Sequence, residues 1–587
     1  MTHSVYFRSV LAILAVLVAC GCALAQQGGS TDPFTGGSGS GATGMIQPPA
    51  GPPAGDVSGR ADMGKAILFS AQTSLVQVPV VVTDPTGKHI HGLTKADFKI
   101  LEDNKAQNIA SLEEVIPDQS SPPSPAQPAD TFTNLMGDES KPRSVTVIVL
   151  DEVNTPFLSQ AYARGQLIKY LGDHLDSAQP FGLIVIGGRG ITVLSKIDSD
   201  PVELLAALKK AGGEISAMEQ FSKDAQAIAS VGDSPSALLG GSSRGASPEL
   251  VFRRFMLKED AIEGSYTQAR TIETTLRSFL AIAWSLSGVP GRKSLVWITG
   301  GFPFYLDSYT SVPGDSGMRA LYDRMVKALN DAQISVYPID ARGLVADPTF
   351  SAESTGSLLG AGAPALLQQS TISSLQTFAE MTGGVAFYNT NDVGGAFGRA
   401  TQDSSSYYLL SYYLDHRNNK SGWRKLRVVV ARKDAAVRAR AGYLITDVTV
   451  NPEVTHKADV DFALNSPFES TGIRINLRWE GIIADGSKKK VGFVLQVPAA
   501  ELVEEGDRNR IDSEFLAQAT SKGAVAGNAS QASKGFIVPD TLAQLKKDGV
   551  VYRNFLDLAP GTYRVRFVVR NNLNGKIGSV IVPLTVN

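Results

Sequence analysis

The chain has 587 residues, a length that predicts about three to four domains. Its composition, with 43% hydrophobic and 19% charged residues, is ordinary for folded soluble protein. The 55 basic and 57 acidic residues nearly cancel, which argues against nucleic acid as the main partner. Both cysteines, Cys20 and Cys22, lie near the start, so the rest of the chain holds no disulfide framework, cysteine nucleophile or thiolate metal site.

Residues 1–25 have the pattern of a secretion signal peptide. Arg8 places positive charge near the start, and residues 10–19 form an apolar run that is too short to span a membrane. Two cleavage patterns compete here. The tripeptide 23–25 fits ordinary signal peptidase, whereas the Leu-Val-Ala before Cys20 resembles a bacterial lipobox, in which Cys20 would carry a lipid anchor. Either pattern predicts an exported protein of the periplasm, the outer membrane surface or the extracellular space.

The chain that follows changes composition several times. Residues 26–65 are rich in Gly, Ser and Pro and predict a flexible tether. Residues 66–117 contain a β-branched run and predict a small β-rich domain, and residues 118–142 predict a Pro-rich linker. Residues 446–587 alternate apolar and polar side chains between hairpin turns, a pattern that predicts an immunoglobulin-like β-sandwich.

Between these β-rich parts, residues 143–445 alternate apolar strands with helical stretches. The strand patterns fall at 145–150, 181–186, 294–299 and 334–340, the helical ones near 268–287, 317–333 and 371–382, and the closing strands near 406–414, 425–430 and 442–444. Such alternation predicts an α/β domain with a largely parallel sheet covered on both faces. Two stretches rich in Ala, Ser and Gly, near 213–262 and 351–370, predict surface insertions.

Several segments together resemble the von Willebrand factor A-related proteins of the acidobacterial type. They are the strand end Val149-Leu150-Asp151, the stretch 291–303 (GRKSLVWITGGFP), the stretch 336–344 (VYPIDARGL), and the upstream pieces 80–84 and 92–98. The resemblance covers about residues 70–445. It implies a Rossmann-like sheet with helices on both faces and a ligand site at the carboxyl edge of the sheet. It also implies a module for adhesion or assembly and not an enzyme.

In that family the edge holds Mg²⁺ through an Asp-x-Ser-x-Ser loop, a later Thr and a further Asp. Asp151 matches the first Asp and Thr155 the second hydroxyl, but Val153 stands at the first Ser and Gly300 at the later Asp. The later Thr has Ser265 and Thr267 as its candidates. The resemblance therefore predicts a degenerate, weak Mg²⁺ site, and the alternative is that Asp151 and Thr155 make structural hydrogen bonds.

The predicted binding edge comprises Asn154, Thr299, Gly300 and Gly301 around Asp151. Because Asp151 ends a strand, its carboxylate is expected to face solvent, and the two glycines are expected to leave the backbone open to a partner. Asp340, at the end of another strand, is interpreted as structural.

Three functions are weighed. The leading hypothesis is an exported binding module for a protein or envelope component; the alternatives are a structural envelope component and, least favoured, a metal-assisted hydrolase. Gly187-Gly188-Arg189-Gly190 lacks the end of a phosphate loop and is interpreted as a hairpin turn. His89 and His91 could chelate a metal, but the neighbouring sequence supplies no third ligand.

Overall fold

The structure is a computed structural model, and it describes twelve stretches of the chain. They are residues 75–116, 131–135, 145–173, 181–199, 201–213, 248–301, 316–344, 362–403, 406–414, 422–445, 452–506 and 508–587. The predicted signal peptide with Cys20, the tether and most of the Pro-rich linker lie outside these residues. Among the helices described, none combines the length and apolarity needed to cross a bilayer.

The strands and helices are numbered in chain order. The strands are β1 (Leu75–Thr83), β2 (Phe98–Glu102), β3 (Lys105–Gln107), β4 (Ile109–Val115), β5 (Thr131–Thr133), β6 (Val145–Asp151), β7 (Phe181–Gly187), β8 (Gly190–Ser199), β9 (Lys293–Thr299), β10 (Ile334–Asp340), β11 (Tyr407–Tyr413), β12 (Gly422–Val430), β13 (Ala436–Arg438), β14 (Gly442–Ile445), β15 (Asn476–Asp485), β16 (Lys488–Val497), β17 (Val503–Glu504), β18 (Asn509–Ser521), β19 (Ala524–Ile537), β20 (Val550–Leu558), β21 (Gly561–Asn571) and β22 (Ile577–Val586). The helices are α1 (Phe157–Asp173), α2 (Pro201–Lys210), α3 (Pro248–Leu286), α4 (Ser316–Asp331), α5 (Gly362–Thr382), α6 (Val393–Gln402), α7 (Pro452–Asn465), α8 (Ala499–Leu502) and α9 (Pro539–Asp548).

A five-stranded sheet with the order β10-β9-β6-β7-β8 forms the centre of the chain. Its strands pair in parallel except for β8, which pairs antiparallel with β7. Every residue of β6, β9 and β10 is buried, as expected for strands covered on both faces. Helices α3, α4 and α5 cover one face, and α1, α2 and α6 cover the other. The prediction of a mixed α/β fold is confirmed.

The Gly-rich stretch at 187–190 is the turn of the β7–β8 hairpin. Gly187 is the register partner of Gly190, which has a φ of 102° that favours glycine. The interpretation as a turn is confirmed.

Both predicted insertions contain helix where the structure describes them. Helix α3 starts at Pro248, inside the predicted insertion near 213–262, and α5 starts at Gly362, inside the one near 351–370. The predicted insertions therefore include the first part of each of these two helices.

The small β-rich unit is assembled from two distant parts of the chain. β1 pairs with β11, and β11 pairs with β4, while β12 pairs with β2. The two resulting four-stranded sheets enclose a common core that includes Val78, Ile100 and Tyr408. The predicted boundaries assigned 406–445 to the central domain, but strand pairing joins it to 75–116. Sequence order alone does not reveal such a return of the chain.

The C-terminal part forms two antiparallel sheets around one core. The sheet β20-β16-β15-β5 faces a sheet built from β17, β18, β21 and β22, with β19 paired to β18. Turns at Asp485-Gly486 and Asn574-Gly575 connect β15 to β16 and β21 to β22, as expected for hairpins. β5 lies within the predicted Pro-rich linker yet pairs with β15, so the linker contributes a strand to this sandwich.

Buried polar contacts connect the sandwich to the central sheet unit. Asp459 on α7 accepts hydrogen bonds from Arg324 on α4 and from Arg570 on β21, the latter at 2.9 Å. Thr471 accepts a hydrogen bond from the Gly288 N–H at 2.8 Å and donates one to the Ser285 carbonyl at 2.9 Å. These contacts fix the C-terminal end of α3 against the sandwich.

Candidate functional site

Asp151 ends β6 in the middle of the central sheet, between β7 and β9. Its Oδ1 accepts a hydrogen bond from the Asn154 backbone N–H at 3.1 Å. Its Oδ2 accepts three more, from Asn154 Nδ2 at 2.8 Å, Trp297 Nε1 at 2.9 Å and Thr299 Oγ1 at 3.0 Å. The carboxylate thus joins the loop after β6 to the end of β9.

This carboxylate does not face solvent, contrary to expectation, because Asp151 is only 2% exposed. Burial raises the pKa of Asp151 from 3.8 to about 6, although the hydrogen bonds from Asn154, Trp297 and Thr299 oppose the shift. The carboxylate is therefore still largely ionised at pH 7. An ionised carboxylate is a pure acceptor, which agrees with the four donors that surround it.

The two glycines after β9 allow close packing and do not leave the backbone open. Both Gly300 and Gly301 are buried, and the Gly300 N–H donates to Thr155 Oγ1 at 2.8 Å. A Cβ on Gly300 would lie 2.7 Å from Pro156 Cδ and 2.9 Å from the Asn154 carbonyl oxygen. Because Gly300 has no side chain, the loop after β6 can pack directly against the end of β9. Thr155 itself is 2% exposed.

The residues at this edge do not fit the Mg²⁺ that the family resemblance implies. Mg²⁺ needs near-octahedral oxygen ligands, with carboxylates among them. Here N–H groups of Asn154 and Trp297, which cannot ligate a cation, occupy the carboxylate oxygens of Asp151. Val153, at a position where the family has a hydroxyl ligand, packs into the apolar core. The contacts agree with the alternative that Asp151 and Thr155 make structural hydrogen bonds.

One hydroxyl of this edge was not predicted from the sequence. Thr275 on α3 is fully buried and accepts a hydrogen bond from Asn154 Nδ2 at 2.9 Å. The candidates Ser265 and Thr267 lie earlier on the same helix. Helical periodicity could have suggested Thr275, since it lies eight residues, or about two turns, after Thr267. Asn154 Oδ1 is buried with no hydrogen-bond partner among the described residues.

Asp340 is held by its own turn. Its Oδ1 accepts from the Arg342 N–H at 3.0 Å and from Arg342 Nε at 2.9 Å, and its Oδ2 accepts from an Arg342 terminal nitrogen at 2.8 Å. The carboxylate is buried and doubly engaged by one guanidinium, so the structural interpretation of Asp340 is confirmed.

A cleft of about 960 Å³ lies where the central sheet unit meets the sandwich. The β7–β8 turn, α3, α7, β18 and β21 form its walls. Among the described residues, its charged lining consists of five arginines and one aspartate: Arg189, Arg270, Arg277, Arg564, Arg566 and Asp461. We call this the arginine cleft. Sequence analysis did not find it, because its arginines come from three elements that are far apart in the chain.

The arginines of the cleft differ in their freedom to bind a ligand. Arg277 pairs with Glu273 at 2.7 Å, and buried Arg566 donates to the carbonyl oxygens of Ala463, Ser466 and Phe468. Burial lowers the pKa of Arg566 to about 10, so it remains charged at pH 7. Arg189, Arg270 and Arg564 form a second set. All three are exposed, and none forms an ion pair with another described residue. The second set gives the cleft an excess of available positive charge.

Comparisons with known proteins add little. No family model and no curated protein matches the chain. Two solved structures align with 44% of it: an aerotolerance-related membrane protein from Bacteroides fragilis NCTC 9343 with multiple mutations to serine, and the N-terminal domain of TFIIH p34. The first is 14% identical, with a TM-score of 0.20 and 98% of that chain covered. The second is 12% identical, with a TM-score of 0.18 and 97% of that chain covered. At such TM-scores neither likeness determines the fold.

Proposed function

We propose that this protein is an exported binding module of the cell envelope that holds an acidic segment of a partner protein in the arginine cleft. The observation that carries the proposal is the cleft itself, where Arg189, Arg270 and Arg564 converge from separate elements without ion pairs among the described residues. Guanidinium groups bind carboxylates with two parallel hydrogen bonds, and clefts between domains are common ligand sites.

We further propose that the central unit is a von Willebrand factor A-like domain. Counted from β6, its strands have the order 3-2-1-4-5, which is the order of a Rossmann-type sheet without its sixth strand, and the third strand is reversed. The point where that order reverses lies between β6 and β9, and there Asp151 and Trp297 fill the edge with hydrogen bonds. A filled edge leaves the cleft as the better-suited ligand site.

The C-terminal sandwich is proposed to be immunoglobulin-like. Tyr563, near the start of β21, donates its hydroxyl hydrogen to the Ala559 carbonyl at 2.8 Å. A tyrosine that bonds back to the backbone a few residues upstream is a recurring feature of such sandwiches. In this proposal the sandwich forms one wall of the binding cleft, through Arg564.

The test is binding of a fluorescein-labelled oligo-glutamate peptide to the purified chain, followed by fluorescence anisotropy. Arg270→Glu and Arg564→Glu, on opposite walls, are each expected to weaken binding roughly tenfold, or about 1.4 kcal/mol. The matched control is Arg427→Glu, a reversal of an exposed arginine on β12 that is expected to leave binding unchanged. Because exposed charges are screened, added salt is expected to weaken binding to the wild-type chain.

Equal binding by the wild type and both cleft variants would place the site elsewhere. Binding of heparin but not of the peptide would identify an anionic glycan as the partner. If the chain bound neither probe, the structural envelope role would replace the binding role.

A further inference from the structure

Two histidines and a glutamate meet at the edge of the small β-rich unit, away from the arginine cleft. His89 Nε2 lies 3.2 Å from Glu114 Oε1, and His91 Nδ1 lies 2.7 Å from the same oxygen. The ligating atoms of the three side chains all lie within 4.8 Å of one another. Glu114 is the third ligand that the sequence near His89 and His91 does not supply, and it comes from β4.

The fold holds these three side chains in place from several directions. The tight turn after β1 returns the chain, so that His89 forms a bridge to Thr83. The buried Tyr408 hydroxyl donates to the Ile90 carbonyl at 2.8 Å and accepts from the Leu93 N–H at 3.0 Å, which fixes the segment on either side of His91.

Glu114 reaches the histidines through strand pairing. It is the register partner of Tyr408 across β4 and β11, so it emerges beside the same segment. Its second oxygen, Oε2, accepts from the Gly92 N–H at 3.1 Å. A hydrogen bond of this kind orients the carboxylate, as outer-shell contacts do in metal sites.

We propose that His89, His91 and Glu114 bind a Zn²⁺ ion. Two imidazole nitrogens and one carboxylate oxygen form a ligand set that suits zinc, and three protein ligands leave a fourth position for water. The His91 side chain is 54% exposed and that of Glu114 23% exposed, so the ion has a path from solvent. The proposal is independent of the function assigned to the arginine cleft.

To bind zinc, the three ligating atoms, which lie within 4.8 Å of one another, have to reach a common spacing. Zinc bonds of about 2.0–2.1 Å in a tetrahedron separate the ligating atoms by about 3.3 Å. The 3.2 Å between His89 and Glu114 already meets this spacing, whereas the 2.7 Å between His91 and Glu114 has to lengthen. His91 is the exposed member, so its ring can rotate without displacing the core.

His89 is the fixed member of the site. Its ring stacks on Tyr408 with centroids 5.2 Å apart and meets His91 edge-on at 4.7 Å. The stacked ring therefore provides a preformed ligand around which His91 and Glu114 close.

The experiment is a zinc titration of the full purified chain, stripped of metal with EDTA, by isothermal calorimetry. We expect one Zn²⁺ per chain, and at least about tenfold weaker binding in His91→Ala and in Glu114→Gln. The matched control is His456→Ala. His456 hydrogen-bonds Glu514, so it is a second histidine–glutamate pair, but one without a second histidine. This control should bind zinc like the wild type.

Thermal unfolding separates loss of the site from loss of the fold. Excess Zn²⁺ should raise the melting temperature of the wild type and of His456→Ala, and it should raise that of His91→Ala and Glu114→Gln by less, because stabilisation falls as binding to the native state weakens. The proposal is overturned if the wild type shows no saturable zinc binding, or if the two site variants, folded by their melting curves, bind zinc as tightly as the wild type.

Discussion

Asp151 and Glu114 are two carboxylates that each collect several hydrogen-bond donors, in two very different parts of the molecule. Asp151 lies in the middle of the parallel sheet, is 2% exposed, and accepts from a backbone N–H, an amide, an indole and a hydroxyl. Glu114 lies at the edge of the small β-rich unit, with a 23% exposed side chain, and contacts one backbone N–H and two imidazoles.

The groups that donate to the two carboxylates differ in whether they can also bind a metal ion. The indole of Trp297 and the amide of Asn154 never release their protons at ordinary pH, so the Asp151 site can only be a fixed set of hydrogen bonds. Each imidazole of His89 and His91 has a second ring nitrogen and can present a lone pair as a ligand, which an indole or an amide nitrogen cannot. A carboxylate with many neighbours is therefore a structural anchor in one place and a candidate metal ligand in the other.

The pKa values of the two carboxyl groups move in opposite directions. Burial raises the pKa of Asp151 to about 6. Partial burial also raises the pKa of Glu114, but hydrogen bonds from Gly92 and both imidazoles outweigh it, so that this pKa is lowered overall. Solvent access decides the outcome, because water still hydrates Glu114 and is excluded from Asp151.

The largest expected effect follows from removing each carboxylate in turn. Asp151→Ala should lower the free energy of unfolding by about 4 kcal/mol, because it leaves the buried Trp297 N–H without an acceptor and releases the loop after β6. Glu114→Ala should lower it by less than about 1 kcal/mol, since that side chain is partly hydrated. Urea denaturation at pH 7 without added metal measures both.

Equal losses in the two variants would contradict the comparison. A loss in Asp151→Ala of under about 1 kcal/mol would mean that the carboxylate is not an anchor. In that case the solvent-facing role that the sequence suggested for Asp151 would be restored.

The pH dependence of stability gives the second largest effect. With the pKa of Asp151 at 3.8 in the unfolded chain and about 6 in the folded chain, the folded state holds a proton between these values that the unfolded state has released. The free energy of unfolding should therefore fall as the pH rises from about 4 to about 6, by roughly 3 kcal/mol from this group. Asp151→Asn removes the titration, so the difference between the two proteins across this range isolates it. A difference that stays constant with pH would show that Asp151 has an ordinary pKa.

The fold was predictable from the sequence where apolar runs are local and continuous. The strands 145–150 and 334–340 stand out because every residue of β6 and β10 is buried, which requires apolar side chains on both faces. The pairing of β11 with β1 was not predictable, because the partners lie more than three hundred residues apart and nothing in either strand specifies the other. The strand β5 was not predicted either, because three residues in a Pro-rich stretch are too few to show the alternation of apolar and polar side chains that indicates a strand.

For the two candidate sites, the sequence indicated which residues have suitable side chains but not their exposure or their neighbours. The sequence pointed to Asp151 and Thr155, but their exposure depends on Trp297 and Gly300, which arrive from β9 and cover them. Glu114 reaches His89 only through the register of β4 on β11, so no spacing rule could have joined them. Convergence of distant elements, and not the identity of any single residue, determines whether a carboxylate faces water.

Trp297 is one of the donors to Asp151, and removing its N–H should have the smallest effect of the three predictions at this edge of the sheet. Trp297→Phe keeps an aromatic ring beside Phe279 but removes the N–H that Asp151 accepts at 2.9 Å, and it should lower the free energy of unfolding by about 2 kcal/mol. A smaller ring alone would produce a similar loss through imperfect packing, but that loss would be the same at every pH. The hydrogen bond from Trp297 lowers the pKa of Asp151, so its removal should raise this pKa above 6 and extend the fall in stability to higher pH. Urea denaturation of Trp297→Phe between pH 4 and pH 8 tests this, and an unshifted pH profile would mean that Trp297 acts on the edge only by packing.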